Sequence, residues 1–256
     1  MSVVVVIPAR FASSRLPGKP LKPILDKPMI QWTWLNAQKA EADRVIVTTE
    51  SPEVRDVCEA FGAEVALTGE HHQSGTERIA EVIEQFGLAD DAIIVNVQGD
   101  EPMLPHQLIH QVAKALEERP DIPMATLCEP IDDIETVFDP HAVKVTRDAH
   151  DCAINFSRAP LPWSRDTFNV DTPALPDDFQ YYRHIGLYAY RAGFIKQYVA
   201  WPECALERVE KLEQLRVLWH GAKILVLEAE MDAGVGVDTE ADLIEVTQLM
   251  AKKKAS

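Results

Sequence analysis

The sequence has neither a C-x-x-C pair nor a histidine at zinc-ligand spacing from its four cysteines, Cys58, Cys128, Cys152 and Cys204. That excludes a disulfide framework and a zinc module, and the thiols read as free, mostly buried groups of a reducing compartment. Long apolar runs are missing too. The longest, residues 3–7, is too short for a membrane span or a signal-peptide core, so a cytoplasmic protein is expected, without membrane insertion. Positive charge is scarce: 25 Lys and Arg against 41 Asp and Glu leave a net charge of −16. Such a field repels nucleic acid and anionic membranes, which excludes both as partners. Two nucleotide signatures are also absent, G-x-x-x-x-G-K-[ST] and G-x-G-x-x-G, so neither a P-loop NTPase nor a dinucleotide-binding oxidoreductase is supported.

What is present is a regular alternation. Short β-branched runs at 3–7, 44–48, 64–67 and 92–97 read as buried strands. Helices are expected between them at 28–40, 52–61 and 75–86, with Ser51-Pro52 as a start signal and Gly62 and Gly87 as stops. This order predicts right-handed βαβ units around a mostly parallel sheet, with ligands beyond the carboxyl ends of its strands. The second half offers strands at 124–128, 143–146, 153–156 and 186–190, a smaller mixed or antiparallel extension. A long helix is expected over 205–219 from Leu206, Val209, Leu212, Leu215 and Leu218, then a strand at 223–227 and a helix at 241–250. Residues 160–178, with four prolines and four aspartates and no periodicity, read as a long loop. Lys252, Lys253 and Lys254 read as a solvated tail past the last helical pattern. No repeat or linker divides the chain, so residues 1–256 are expected to form one domain: a nucleotide-binding half over about 1–120 and a second half over about 121–250.

Immediately after the first strand, Arg10, Arg15 and Lys19 fall within ten residues, uninterrupted by any acid. Small residues among them let backbone N–H groups approach an anion; arginine grips phosphate in bidentate fashion and lysine adds a mobile charge. A polyphosphate is the natural complement. Asp100 follows the strand ending at Val97, where a carboxylate faces the ligand crevice, and Mg²⁺ needs only one or two carboxylates beside phosphate oxygens and water. Asp238 precedes a helix and reads either as a second metal carboxylate or as an N-cap, with Thr239 an equal cap candidate. Ser74 with Glu77 fits a capping box. Glu213 and Gln214 interrupt the apolar stripe of the expected 205–219 helix; composition alone places them on an exposed face. Arg158 ends a strand, well placed to clamp a carboxylate, and Gln98 stands two residues before Asp100.

The segments 8–21, 72–78, 96–102, 182–186, 212–216 and 237–239 together resemble those of the nucleotidyltransferases that make activated sugars. Within that family they are most similar to the type that couples CTP to the acidic sugar 3-deoxy-manno-octulosonate (Kdo), over residues 3 to about 246. The resemblance implies a Rossmann-like nucleotidyltransferase fold with helices on both faces of the sheet. It also implies a Mg²⁺-dependent transfer of CMP to the anomeric 2-hydroxyl of Kdo for lipopolysaccharide synthesis, and a homodimer dimerising through its second half. Carried over by position, Asp100 and Asp238 are the metal ligands, and they act in catalysis with Lys19 and Arg10. The nucleotide is bound by backbone groups of Pro8 and Ala9 and by Arg10, Arg15, Lys19, Ser74, Gly75, Arg78 and Gln98. The sugar is bound by Gln98, Arg158, His184, Tyr188, Glu213 and Gln214. His71 and His72, adjacent, are expected to point apart.

Three rivals are weighed against this reading. A transferase acting on a sugar 1-phosphate would be expected to add cations to the second half, which instead offers groups suited to a carboxylate and a polyol. A transferase for sialic acid or a close Kdo analogue shares the chemistry. A nucleotide-sensing module without turnover would have no use for paired candidate metal ligands beside Lys19.

Overall fold

The computed structural model describes residues 2–11, 16–72 and 74–255. Eleven strands lie along them: β1 (Val3–Pro8), β2 (Pro23–Ile24), β3 (Lys27–Pro28), β4 (Arg44–Thr49), β5 (Glu64–Leu67), β6 (Ile93–Asn96), β7 (Met124–Ile131), β8 (Lys144–Arg147), β9 (Ala153–Ser157), β10 (Tyr181–Arg191) and β11 (Ile224–Glu228). The helices are α1 (Met29–Ala37), α2 (Pro52–Ala60), α3 (Gly75–Gln85), α4 (His106–Glu118), α5 (Ile134–Phe138), α6 (Ala192–Ala200), α7 (Ala205–Glu210), α8 (Gln214–Trp219) and α9 (Glu240–Ala255). Apart from the small β2–β3 hairpin, the strands form one sheet in the order β11-β7-β10-β6-β1-β4-β5, with β8 and β9 attached beside β10.

β1 pairs in parallel with both β4 and β6, and β4 with β5, giving the parallel half expected from the alternation. β10 runs antiparallel to β6 and β7, so the second half supplies the antiparallel extension. The uninterrupted valines of β1 have a simple cause: both faces are covered. Val5 and Ile7 join one apolar layer with Leu108 and Val112 of α4, while Val4 and Val6 join the opposite layer with Ile79, Val82 and Ile83 of α3. Full burial of each such side chain stabilises the fold by about 1.5–3 kcal/mol. The chain leaves β1 toward β4 on one side and returns with β6 on the other. The crevice opens at that reversal, beyond Pro8 and Asn96.

Several expectations are corrected. The helix expected over 205–219 is two helices, because Lys211 takes left-handed backbone angles (φ 54°) and stops α7. Leu206 and Val209 therefore face solvent, whereas Leu212 and Leu215 are buried. The expected tail is the last turn of α9, where Lys252, Lys253 and Lys254 complement the helix dipole. Helices α4 and α6 occupy segments to which the sequence pattern assigned no element. Residues 160–178 form the long loop expected, pinned where Tyr181 donates its hydroxyl to the Pro162 carbonyl. All four cysteines are buried free thiols. Among the described residues no helix is long and apolar enough to cross a membrane.

Candidate active site

The loop after β1 is held by its backbone. Ala9 donates its N–H to the Thr48 carbonyl at 2.8 Å, and Gly99 donates to the Pro8 carbonyl at 3.2 Å. A Cβ at Gly99 would lie 2.7 Å from that carbonyl oxygen, so the approach of the two loops depends on glycine there. Phe11 donates its N–H to Glu50 at 2.9 Å, and Arg10 donates through Nη2 to the His72 carbonyl at 2.5 Å. Arg15 lies outside the described residues.

Lys19 re-enters this crevice behind Gly18, whose left-handed backbone (φ 66°) turns the chain into a short 3-10 helix. Its ammonium lies 2.5 Å from an Asp100 oxygen and 3.0 Å from an Asp238 oxygen. Burial acts to lower the Lys19 pKa, but Asp100 and Asp238 outweigh it and the pKa is raised. The loops bearing the two acids are stitched together, the Val237 N–H donating to the Asp100 carbonyl at 2.9 Å. The cap question is resolved by geometry: Thr239 Oγ1 accepts from the Asp242 N–H, while Asp242 accepts from the N–H groups of Asp238 and Thr239. Capping thus falls to Thr239 and Asp242, and the Asp238 carboxylate turns to Lys19. Two carboxylates converging on one cation position fit the sparse protein ligation of Mg²⁺. Glu101 packs beneath, its carboxyl pushed up to about 7, first by burial and then by the charges of Asp100 and Asp238. A Cβ at Gly236 would lie 2.7 Å from a Glu101 oxygen, so a larger residue there would push the Glu101 carboxyl aside.

On the other flank, Ser74 opens α3 and accepts from the Glu77 N–H at 3.2 Å. Gly75 brings the helix against the Pro8 ring, which a Cβ would meet at 3.7 Å. Arg78 is almost wholly buried, ion-paired through Nη2 with Glu50 at 3.1 Å and hydrogen-bonded through Nη1 to the Thr68 hydroxyl at 2.5 Å. Burial lowers its pKa, with Glu50 opposing. Arg78 therefore underpins the crevice from below. Glu50, which ties Arg78 to the Phe11 N–H, is a functional candidate that sequence reasoning missed; its signal was an acid just past the end of a buried strand. The rings of His71 and His72 do not point apart: their centroids are 4.2 Å apart.

Beside Asp100 a cavity of about 270 Å³ opens, lined by Thr76, Asn96, Gln98, His184, Tyr188, Tyr190, Tyr198, Lys211, Glu213 and Gln214 among others. Gln98 also lines a smaller neighbouring cavity with Glu101 and Arg183, so it stands between the acid cluster and the larger space. His184 and Tyr188 share one face of β10 across a bulge, ring centroids 5.3 Å apart. His184 Nε2 lies 3.0 Å from the Thr126 hydroxyl, and burial, then Arg183, pushes the imidazole down to about 3. Burial raises the Tyr188 phenol well above its ordinary value. The Glu213 pKa is raised, chiefly by burial, despite a hydrogen bond from Thr76 at 3.1 Å. The Gln214 amide nitrogen is buried with no hydrogen-bond partner among the described residues, a donor for which a ligand would be the natural acceptor.

The kink at Lys211 accounts for Glu213 and Gln214. On one straight helix they would have interrupted an apolar stripe; after the break they begin a new helix at the cavity wall. Arg158 does not line this cavity. Its Nε donates to the Glu210 carbonyl at 2.7 Å and its Nη1 to the Pro140 carbonyl at 2.9 Å. Lys211, Thr76, Asn96, Tyr190 and Tyr198 join the wall without having been singled out from the sequence. Only the tertiary fold brings these five positions together.

The comparisons with known proteins agree in direction. A family model described as cytidylyltransferase matches residues 4–224. A 3-deoxy-manno-octulosonate cytidylyltransferase 1 from Hydrogenovibrio crunogenus is 66% identical over 251 residues, covering 98% of this chain and 97% of its own. A 3-deoxy-manno-octulosonate cytidylyltransferase from Pseudomonas fluorescens is 54% identical over 246 residues, covering 96% and 97%. In shape the chain is similar to a CMP:2-keto-3-deoxy-manno-octonic acid synthetase solved with CTP. The TM-score is 0.90 at 39% identity, over 99% of this chain and 100% of that one. A family match over most of the chain, and relatives aligned along nearly their whole length, mean that this chain belongs to the cytidylyltransferase family.

Proposed function

We propose that the chain transfers the cytidylyl group of CTP to the anomeric 2-hydroxyl of Kdo, releasing pyrophosphate and giving CMP-Kdo for lipopolysaccharide synthesis. The observation that carries this reading is the juxtaposition of two compartments across Gln98. One side is a cationic loop facing paired carboxylates, and the other a cavity walled by hydroxyl, amide, imidazole and carboxylate groups. The first suits a metal-bound triphosphate and the second a polyhydroxylated acid.

Asp100 and Asp238 would hold Mg²⁺, which supplies charge neutralisation at the phosphates and eases deprotonation of the attacking hydroxyl. Arg10, Arg15 and Lys19 direct positive charge at the pyrophosphate as the bond from the α-phosphorus to the bridging oxygen breaks and the sugar oxygen bonds in line. Pro8, Ala9, Ser74 and Gly75 border the base, over the floor built by Arg78 and Glu50. On the sugar side His184, Tyr188, Gln98, Glu213 and Gln214 receive hydroxyls. Lys211 on the wall provides the positive charge for the carboxylate, and Arg158, outside the cavity lining, braces the turn just before it through the Glu210 carbonyl. The same reading carries a cytoplasmic homodimer, which sizing the purified protein in solution tests.

The decisive assay is pyrophosphate release with Mg²⁺ and Kdo, comparing CTP with UTP, ATP and GTP and including a control without sugar. Release that requires both CTP and Kdo is expected. Release with another acidic sugar but none with Kdo would overturn the sugar assignment while leaving the phosphate site standing.

A further inference from the structure

On the wall of the larger cavity a side-chain hydrogen bond links α3 to the start of α8. Thr76, the second residue of α3 and only 4% exposed, donates its hydroxyl to Glu213 Oε2 at 3.1 Å across 137 residues of sequence. Tyr190 and Asn96 line the same wall as Thr76, and the Tyr198 hydroxyl donates to the Glu213 carbonyl at 3.3 Å. Glu213 makes no capping bond for α8, so its carboxylate is not spent on its own helix. Thr76 in turn follows Ser74 and Gly75, the turn packed on Pro8 at the nucleotide side.

We propose that Thr76 is a positioning residue for the sugar: its hydroxyl fixes one oxygen of Glu213 so that the other is presented to a substrate hydroxyl, coupling α3 to α8. The inference rests on the reading of the cavity as the acceptor site. A glutamate free to rotate about three torsions must be ordered by the substrate at the moment of binding, and that cost is lost affinity. With the hydroxyl in place the ordering is already done. Because Thr76 bonds to none of Arg10, Lys19 and Asp100 among the described residues, its removal should be felt in sugar affinity and little in the chemical step.

The test compares Thr76→Val, nearly isosteric but without the hydroxyl, with Thr76→Ser, which retains it, alongside the parent protein. Thr76→Val is expected to raise the Kdo KM roughly tenfold while the CTP KM and kcat stay within about twofold; Thr76→Ser is expected to behave as the parent. Glu213→Gln combined with Thr76→Val should cost no more than the larger single effect, since the two groups act as one unit. Equal rises in both KM values, an unaffected Kdo KM, or additive losses would each overturn the proposal while the parent's Kdo-dependent turnover upheld the functional reading. A parent without Kdo-dependent turnover would overturn both. A carboxyl ¹³C titration of Glu213 without substrate gives a readout independent of turnover and of the folding yield of any one variant. Loss of the hydroxyl should move it upward in Thr76→Val and not in Thr76→Ser, and no movement would refute the bond itself.

Discussion

The protonation of His184 gives a prediction whose size follows from its surroundings. The ring meets Phe156 edge-on at a centroid distance of 5.0 Å and lies against Tyr188, with Arg183 adjacent in sequence. The Thr126 hydroxyl has carbonyl acceptors at 2.8 Å on Leu187 and 3.0 Å on Ile185. Its one proton is thus committed to the backbone, which makes His184 Nε2 the donor to Thr126 and leaves Nδ1 as an acceptor. A second proton would charge a buried ring beside a guanidinium, and burial accordingly takes the pKa down to about 3. In the unfolded chain the same ring titrates near 6.5. The unfolded state therefore takes up the proton first as pH falls. The stabilising effect is complete above pH 6.5 and is progressively lost toward pH 3, at up to about 1.36 kcal/mol per unit. At pH 4.5 the parent should have lost roughly 2–3 kcal/mol through this residue alone. Urea unfolding of the parent and of His184→Gln at pH 7.5 and 4.5 measures it, because both share every other titrating group. The parent is expected to lose roughly 2–3 kcal/mol more than the variant. Equal losses, or an imidazole resonance titrating near 6.5 in the folded parent, would refute the reasoning.

Other residues make separable predictions. Asp100→Asn should lower kcat at least about a hundredfold and weaken Mg²⁺ binding in a direct titration, with the thermal midpoint preserved; near-normal turnover would remove Asp100 from the metal site. Arg158→Ala breaks bonds to the Glu210 and Pro140 carbonyls and should cost about 1–3 kcal/mol of unfolding free energy. A selective rise in the Kdo KM with no loss of stability would instead assign its guanidinium to the sugar carboxylate. Gly99→Ala forces a Cβ to 2.7 Å from the Pro8 carbonyl and should destabilise by about 1–3 kcal/mol while raising the CTP KM; an unchanged melting temperature would show that the two loops can part without penalty.

The parallel half of the sheet was readable because its strands are buried on both faces, so their β-branched runs are unbroken and Gly and Pro punctuate the helices between. The phosphate loop was readable for a different reason: three cations in ten residues stand out in a chain of charge −16. The 205–219 segment was misread because periodicity carries no mark of a lysine in left-handed backbone, and the apolar spacing of Leu206 and Val209 was met by solvent instead of core. Arg78 was assigned to the nucleotide by resemblance alone, and its setting depends on Glu50, brought beside it from the end of β4. Asp238 and Thr239 were equal cap candidates until Asp242 appeared opposite Thr239, a pairing that a one-residue reading cannot separate.

The cluster of Lys19, Asp100 and Asp238 gathers residues from the beginning, the middle and the end of the chain. During synthesis the amino-terminal half emerges first, with β1, β4, β5 and β6 able to pair among themselves while β7 still awaits β10 and β11; the carboxylate of Asp238 emerges only after β11 has been made. A ribosome-bound chain stopped before that point could assemble the phosphate loop yet lack one of the two acids. Competence would then arrive in a single late step, and a prematurely released fragment would be unable to spend triphosphate.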